Sequence, residues 1–409
     1  MISKLSFPKK MVNEMKLENS YDVVIVGAGP GGSITARDCA KAGLSVLLLE
    51  KRPEIGAPKR CGEGLGLDTI KRLGYTGKER FVTQRVINGV LFAPNGKEIE
   101  IPGGDGGYVL ERKVFDKFLA YDAAKAGAKV VSNAEAIDLI KTNGRVSGVV
   151  VNYNEEISRI NAKIIVAADG IESKIAKIAG LNTLSTSTKI MSGYQYEMAG
   201  IDIKDPTHLY FYVGAGIAPG GYVWIFPKGA HIANVGIGIM GKKDGKTAKY
   251  YLDKWIDSMP SVKKGSIIEE NAGGIPLGNF LKKMTADNFI AVGDAAHQVN
   301  PIHGGGLSEA TFAGQLAAKV IVRAIKEGDT TDKNLDEYNE HWWAERGKDL
   351  AKLEKLVDAF VQMDDDDINK AMNSLDSNNI WKIIEGDILF SAKLLMKNPK
   401  LIGLAAKLI

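Results

Sequence analysis

The chain has 409 residues, 45% hydrophobic and 25% charged, with a formal net charge of +4. That balance fits a soluble globular protein of about two or three domains and excludes a nucleic-acid binder held by bulk charge. Two cysteines, Cys39 and Cys61, exclude a disulfide framework and an internal iron–sulfur cluster, and no run approaches the roughly 18 apolar residues that span a bilayer. The expected location is cytoplasmic.

Residues 1–20 are basic but lack a continuous apolar core, so they read as a flexible tail rather than a signal peptide, with Met11 and Met15 as alternative starts. "YDVVIVGAGPGGSITARDCAKAGLSVLLLEKRP" then predicts strand, glycine turn, helix and strand. Val23 to Val26 form the continuous apolar run of a strand buried on both faces. Ala36, Cys39, Ala40 and Ala42 give the helix a small-residue side, which makes Cys39 a core residue.

Gly27-x-Gly29-x-x-Gly32 stands where a strand gives way to a helix, the context that makes this spacing meaningful. Gly27 permits the turn, Gly29 lets backbone reach a pyrophosphate, and Gly32 lets helix and sheet pack closely. Ala28 and Gly31 belong to the same phosphate-facing turn, and the helix N-terminus offers N–H groups to the anion. Glu50 ends the second strand, followed by Lys51; a carboxylate there accepts from ribose hydroxyls and disfavours a 2′-phosphate, leaving FAD or NAD.

Farther along, "VFDKFLAYDAAKAGAKVV" and "NAKIIVAADGIESKIAKIAG" predict two more helix and strand units, the latter turning at Asp169–Gly170. From about 185 to 285 the segments "HLYFYV", "GYVWIFP" and "HIANVGIGIM" are short, aromatic or β-branched and glycine-bounded, which predicts an antiparallel sheet. "VGDAAHQVNPIHGGGLSEATF" returns to strand, loop and helix. Asp294 at the strand end suits a ribityl or ribose hydroxyl, and Gly304, Gly305 and Gly306 bring a second helix N-terminus, with Leu307 as a further cofactor contact, near a flavin ring, which selects FAD. After 330 the pattern is helical.

The fold class is therefore α/β. A Rossmann-like FAD-binding domain is assembled from 21–80, 108–182 and 286–330. A β-rich substrate domain comes from 81–107 and 183–285, and a helical region from 331–409. "DDDD" at 364–367 reads as a solvated helix start, and no spacing marks a metal site.

Three motifs in this order resemble the FAD-dependent monooxygenase and reductase superfamily of the para-hydroxybenzoate hydroxylase fold. "EKRPEIGAPKRCGEGL", "PGGYVWIFPKG" and "NPIHGGGL" together resemble the geranylgeranyl reductase family, especially the archaeal digeranylgeranylglycerophospholipid reductases, from Tyr21 to about 330. The resemblance implies that Arg112 reaches the FAD phosphates, that Ala136 meets the adenine end, and that Cys61, Gly62 and Gly64 lie against the flavin. It implies saturation of isoprenoid double bonds in membrane lipids.

On a strand, Tyr222, Trp224 and Phe226 share one face, either a wall for a prenyl chain or the domain core. An isolated alkene needs a proton as well as a hydride. Cys61, or a water it holds, is the candidate to place that proton; the alternative is a small residue in a tight turn. His297 and His303 flank the flavin loop, either facing the ring or serving as loop residues.

The lysine-studded end, 388–409, with Lys393, Lys397, Lys400 and Lys407, suits either an anionic membrane surface or a packed cap. The electron donor is either a ferredoxin-like carrier or NAD(P)H. Competing readings are a monooxygenase or halogenase of the same superfamily, and a prenyl-lipid-binding flavoprotein without turnover. "GYVWIFP" departs from the halogenase Gly-Trp-x-Trp-x-Ile-Pro pattern at two positions.

Overall fold

A computed structural model describes residues 17–183, 189–240 and 245–408. The first sixteen residues of the expected tail, Met11 and Met15 included, and the side chain of Lys407 lie outside the described residues.

The first sheet grows around Ser20–Val26, which runs parallel to Val46–Leu49 on one side and Glu156–Ala167 on the other. Lys129–Val131 and Phe289–Ala291 extend it in parallel, so its strands are buried on both faces. Ala134–Thr142 and Arg145–Tyr153 add antiparallel strands beyond Glu156–Ala167. Helix Pro30–Lys41 crosses between the first two parallel strands, starting with Pro30 in its first turn, where a missing N–H costs nothing. Helix Leu307–Glu327 lies against it so closely that a Cβ at Gly314 would come within 2.6 Å of the Gly31 carbonyl oxygen. Cys39 is fully buried in this core.

The second sheet has the strand order Ser266–Pro276, Ile190–Ala199, Ile232–Ile239, Tyr222–Pro227, His208–Val213, Val82–Phe92, Glu98–Leu110 and Gly64–Gly66. It is not wholly antiparallel as the sequence reading has it. His208–Val213 runs parallel to Val82–Phe92, because the chain leaves the sheet after Leu110 and returns only after crossing the first domain. Residues 64–66, read with the nucleotide segment, form its edge strand.

Alternation decides which face of this sheet is its core. Val223, Ile225, Val235, Ile237, Tyr196 and Met198 point to one side, covered by Leu252 and Trp255 of helix Ala248–Ser258. Tyr222, Trp224 and Phe226 point to the other, toward the first domain. The aromatic face is thus not the sheet's own core.

The helical region clasps both sheets. Lys189 pairs with Asp358 at 2.6 Å and Glu354 at 2.9 Å, and Asp365 accepts from the Ala215 N–H at 2.6 Å. The acidic run is less solvated than expected. Asp364 and Asp367 close a capping box on helix Asp365–Asn373, and Asp367 is buried against Asn398. Helices Ile388–Met396 and Ile402–Leu408, with the turn Pro399–Leu401 between them, bury Ala392, Leu395, Leu401 and Ala405 in the main core, so one side of this segment is a packed cap. No described helix is long and apolar enough to cross a membrane.

At Gly32 a Cβ would overlap the Gly27 carbonyl oxygen, which is backbone and unable to yield, and would press on the Ala168 methyl at 3.0 Å. Gly32→Ala is expected to cost about 1–3 kcal/mol of stability, the range for overpacking, measured by urea unfolding.

Candidate active site

Two adjoining cavities, of about 280 and 220 Å³, open at the carboxyl ends of the parallel strands and share Gly29, Arg112, Gly170 and Asp294 in their walls. The first holds Gly27, Ala28, Gly29, Glu50, Lys51, Ala136 and Asp169; the second holds Gly31, Cys61, Gly62, Tyr222, Trp224, Phe226, Gly306 and Leu307. Residues read from widely separated segments are thereby brought into one continuous cleft. Gly32, Gly64 and Gly305 are its supports: each is bare because a neighbour presses on it, namely the Gly27 carbonyl, the Phe226 ring and the His303 ring.

The nucleotide half is built for an anion and a sugar. At Gly29 nothing stands within 4 Å of where a Cβ would be, so the helix N-terminus faces open space. Glu50 accepts from the Ala28 N–H at 3.1 Å and the Arg52 N–H at 3.0 Å, which fixes its carboxylate at the strand end. Asp169 accepts from the Ile175 N–H at 2.8 Å through one oxygen, while its other oxygen is buried without a partner. Burial raises the carboxyl pKa of Asp169, and likewise that of Asp294, opposed there by Arg112. An orphaned buried carboxylate oxygen in an open cleft calls for a hydroxyl donor, which a dinucleotide supplies. The residues present fit FAD.

Arg112 is more occupied than a phosphate contact would be. Its guanidinium bonds Asp116 twice, at 2.8 and 2.7 Å, and also faces the Cys61 thiol. Cys61 Sγ accepts from the Glu63 N–H at 3.2 Å. Burial pushes the thiol upward in pKa, with Arg112 opposing, so it remains protonated at neutral pH.

The aromatic wall closes the second cavity. Trp224 donates to Gln195 Oε1 at 2.9 Å, and Gln195 donates to the Cys61 carbonyl at 3.0 Å, tying the wall to the loop opposite. The Tyr222 hydroxyl donates to the His303 carbonyl at 2.7 Å, giving its half-buried phenol a partner. A Cβ at Gly62 would sit 2.9 Å from Phe226, which is why that loop is bare. Gly236, opposite Trp224 in the ladder, leaves room for the indole, while Gly238, opposite Tyr222, leaves room for Met191.

His303 lines the cavity from its exposed rim, and the protein packed about its ring lowers its pKa. His297 does not face the flavin cleft. It is buried behind the loop with Nδ1 bonded to the Asn279 carbonyl at 2.8 Å, at a left-handed φ of 58°.

Gln195, Phe211 and the charged residues beneath Cys61 escaped the sequence reading. Phe211 packs edge-on to Tyr222 and Phe226 at 5.7 and 5.6 Å. The "HLYFYV" alternation and the Gly-x-Gly of "NVGIGI" facing "YVWIF" carried that signal. Gln195 carried none, since only tertiary pairing puts an amide between an indole and a carbonyl. Three carboxylates, of Glu63, Glu111 and Glu197, converge within 4.8 Å, but the Lys228 ammonium bonds all of them where a metal would sit.

A dinucleotide cleft at the end of a parallel sheet, faced by a second sheet across an apolar slot, defines an FAD-dependent oxidoreductase. Residues 22–189 match the FAD-dependent oxidoreductase family, and residues 189–275 match the geranylgeranyl reductase catalytic domain. A digeranylgeranylglycerophospholipid reductase of Methanopyrus kandleri is 38% identical over 95% of this chain and 99% of its own. One from Methanococcoides burtonii is 41% identical over 88% and 89%.

Among solved structures, a geranylgeranyl bacteriochlorophyll reductase-like protein from Thermoplasma acidophilum superposes with a TM-score of 0.87. It is 35% identical and covers 96% of this chain and 100% of its own. A flavin-dependent brominase, 19% identical with a TM-score of 0.71 over 95% and 93% of the two chains, shares the fold alone. The chain belongs to the geranylgeranyl reductase family.

Two outcomes follow from this geometry. Gln195→Leu strands the Trp224 indole N–H and the Cys61 carbonyl, and is expected to cost about 1–3 kcal/mol for each group, read by urea unfolding. In flavin-free protein the raised Asp169 pKa means that the stability tied to its protonated form is full below the unfolded value near ~3.9. That stability is lost as pH rises through the folded value. Asp169→Asn is therefore expected to raise the melting temperature of that form at neutral pH, with the gain fading in acid.

Proposed function

We propose that this chain saturates the isolated double bonds of geranylgeranyl chains on an archaeal-type membrane glycerophospholipid. The observation that carries the reading is the continuity of the cleft: the nucleotide half opens directly into a slot walled by Tyr222, Trp224 and Phe226. The reductases of similar sequence act, by their names, on this lipid class.

A trisubstituted alkene with no adjoining carbonyl has nothing to polarise it. Reduction then adds a hydride to one carbon and a proton to the other, and FAD bound in the cleft supplies the hydride when reduced. Slot residues exclude water and hold the chain flat by dispersion contact. The protonated Cys61 thiol, held by the Glu63 N–H and faced by Arg112, is the proton-placing group in this reading. His303 and the Tyr222 phenol, whose pKa is raised by desolvation, line the same slot.

Electrons arrive from an external donor, either a ferredoxin-like carrier or NAD(P)H. The chain reaches its substrate at a membrane surface through the cap, where exposed Leu389, Met396 and Ile402 lie among exposed Lys393, Lys397 and Lys400.

Three experiments test the reading. Anaerobic incubation of dithionite-reduced protein with geranylgeranyl phospholipid is expected to add two mass units per double bond. Oxygen-dependent modification would favour a hydroxylase, and bound but unchanged lipid a carrier. Cys61→Ser is expected to keep FAD and lose about a hundredfold or more in turnover, the usual scale for a positioned proton donor; full turnover removes the thiol from the chemistry. Neutralising the three cap lysines to Gln is expected to abolish pelleting with anionic vesicles, with the melt followed in parallel because Lys400 lies 3.6 Å from Asp364 and Lys397 bonds Ser374.

A further inference from the structure

The segment Cys61-Gly62-Glu63-Gly64 carries glycine at two positions, yet the left-handed backbone falls on the residue between them. Glu63 has φ 74° and is fully buried. Gly62 and Gly64 are bare because Phe226 presses on them, so glycine was not spent on the strained conformation. A long acidic side chain in a left-handed position, out of contact with water, demands a reason.

Its carboxylate supplies one. One oxygen accepts from the Arg112 backbone N–H at 2.6 Å. The other accepts from Asn234 at 2.7 Å and Lys228 at 3.0 Å, with Lys59 at 3.4 Å. Asn234 also donates to the Gly62 carbonyl at 3.1 Å. Lys59 reaches Glu197 and Glu269, Lys228 reaches Glu111 and Glu197, and Lys113 closes on Glu269 at 2.7 Å. These partners come from the loop, the start of helix Arg112–Lys125 and three strands of the second sheet. Glu63 joins the Cys61 loop itself to both the first domain's helix and the aromatic-bearing sheet.

We propose that Glu63 is a positioning residue: its buried carboxylate ties the Cys61–Gly62 segment between the Arg112 helix and the aromatic wall, and thereby sets the place and reactivity of the Cys61 thiol. The inference deepens the reading above, and rests on it only for the thiol's role in turnover.

The test needs neither lipid nor turnover, so its failure and that of the proposed activity are separable. The groups that bear on the thiol are Arg112 with its partner Asp116, Glu63, Asp294 through Arg112, and the Tyr222 phenol, while His303 lines the same cavity. Cys39 is fully buried and its pKa is strongly raised by burial, so iodoacetamide reads Cys61, with Cys61→Ser as the blank.

Labelling rate is measured against pH for the full chain, as purified and after removal of flavin, well below the melting temperature. Glu63→Gln removes a negative charge beside the thiol, and is expected to move the labelling midpoint down by about half a pH unit or more, roughly threefold in rate at fixed pH. Glu63→Gly removes the same tie while relieving the left-handed backbone. It is expected to shift labelling in the same direction and to melt higher than Glu63→Ala, which keeps the test alive if the glutamine variant does not fold. Wild-type labelling profiles in folded Glu63→Gln and Glu63→Gly would overturn the proposal and leave Glu63 a structural ion-pair residue.

Discussion

Everything at this site depends on how closely the Cys61–Gly64 loop can approach the aromatic strand. Phe226 presses on Gly62 and Gly64, Gln195 joins the Trp224 indole to the Cys61 carbonyl, and Asn234 holds the Gly62 carbonyl. That contact joins two sheets with separate cores and sets the width of the slot between them. A methyl group at Gly62 would have to displace an aromatic ring, so the width is fixed by close packing rather than by loop preference.

The second constraint is electrical. Lys59 and Glu63 of one loop, Lys228 at the end of the aromatic strand and Glu197 of another strand are held together, with Lys59 and Glu63 fully out of water and Glu197 partly exposed. Burial works against the Lys228 charge, yet Glu63, Glu111 and Glu197 hold its ammonium above the ordinary lysine range. Such a network contributes little net stability over an apolar isostere, but losing one partner leaves an uncompensated buried charge. It favours one relative placement of the two sheets over its neighbours. A slot that must admit a chain and exclude water benefits from that selectivity more than from added stability.

Sequence made the cofactor half legible because its physics is local. A glycine turn between a buried strand and a helix, an acid at a strand end and a second glycine-rich helix start are written in contiguous residues, and their order specifies the fold. The aromatic wall was legible as a face, since alternation over Tyr222, Trp224 and Phe226 fixes side, but not as a wall. Which face carried the sheet's core depended on helix Ala248–Ser258, far along the chain. Gln195, Asn234 and Lys228 were silent because their partners lie in other segments. Of the two readings of His297, the loop residue holds: its left-handed backbone turns the ring toward Asn279 and away from the cleft. The parallel pairing of His208–Val213 was hidden for a similar reason: strand direction after a long excursion is set by topology, not by composition.

The central claim is that the redox cleft and the apolar slot form one compartment in which an unsaturated chain is the oxidant. Its most direct measurement is anaerobic colour recovery. Protein with its bound flavin reduced is mixed with geranylgeranyl phospholipid or with the fully saturated lipid, and absorbance is followed. Yellow is expected to return with the unsaturated lipid and not with the saturated one. Recovery only on admitting oxygen, with the unsaturated lipid inert, would contradict it.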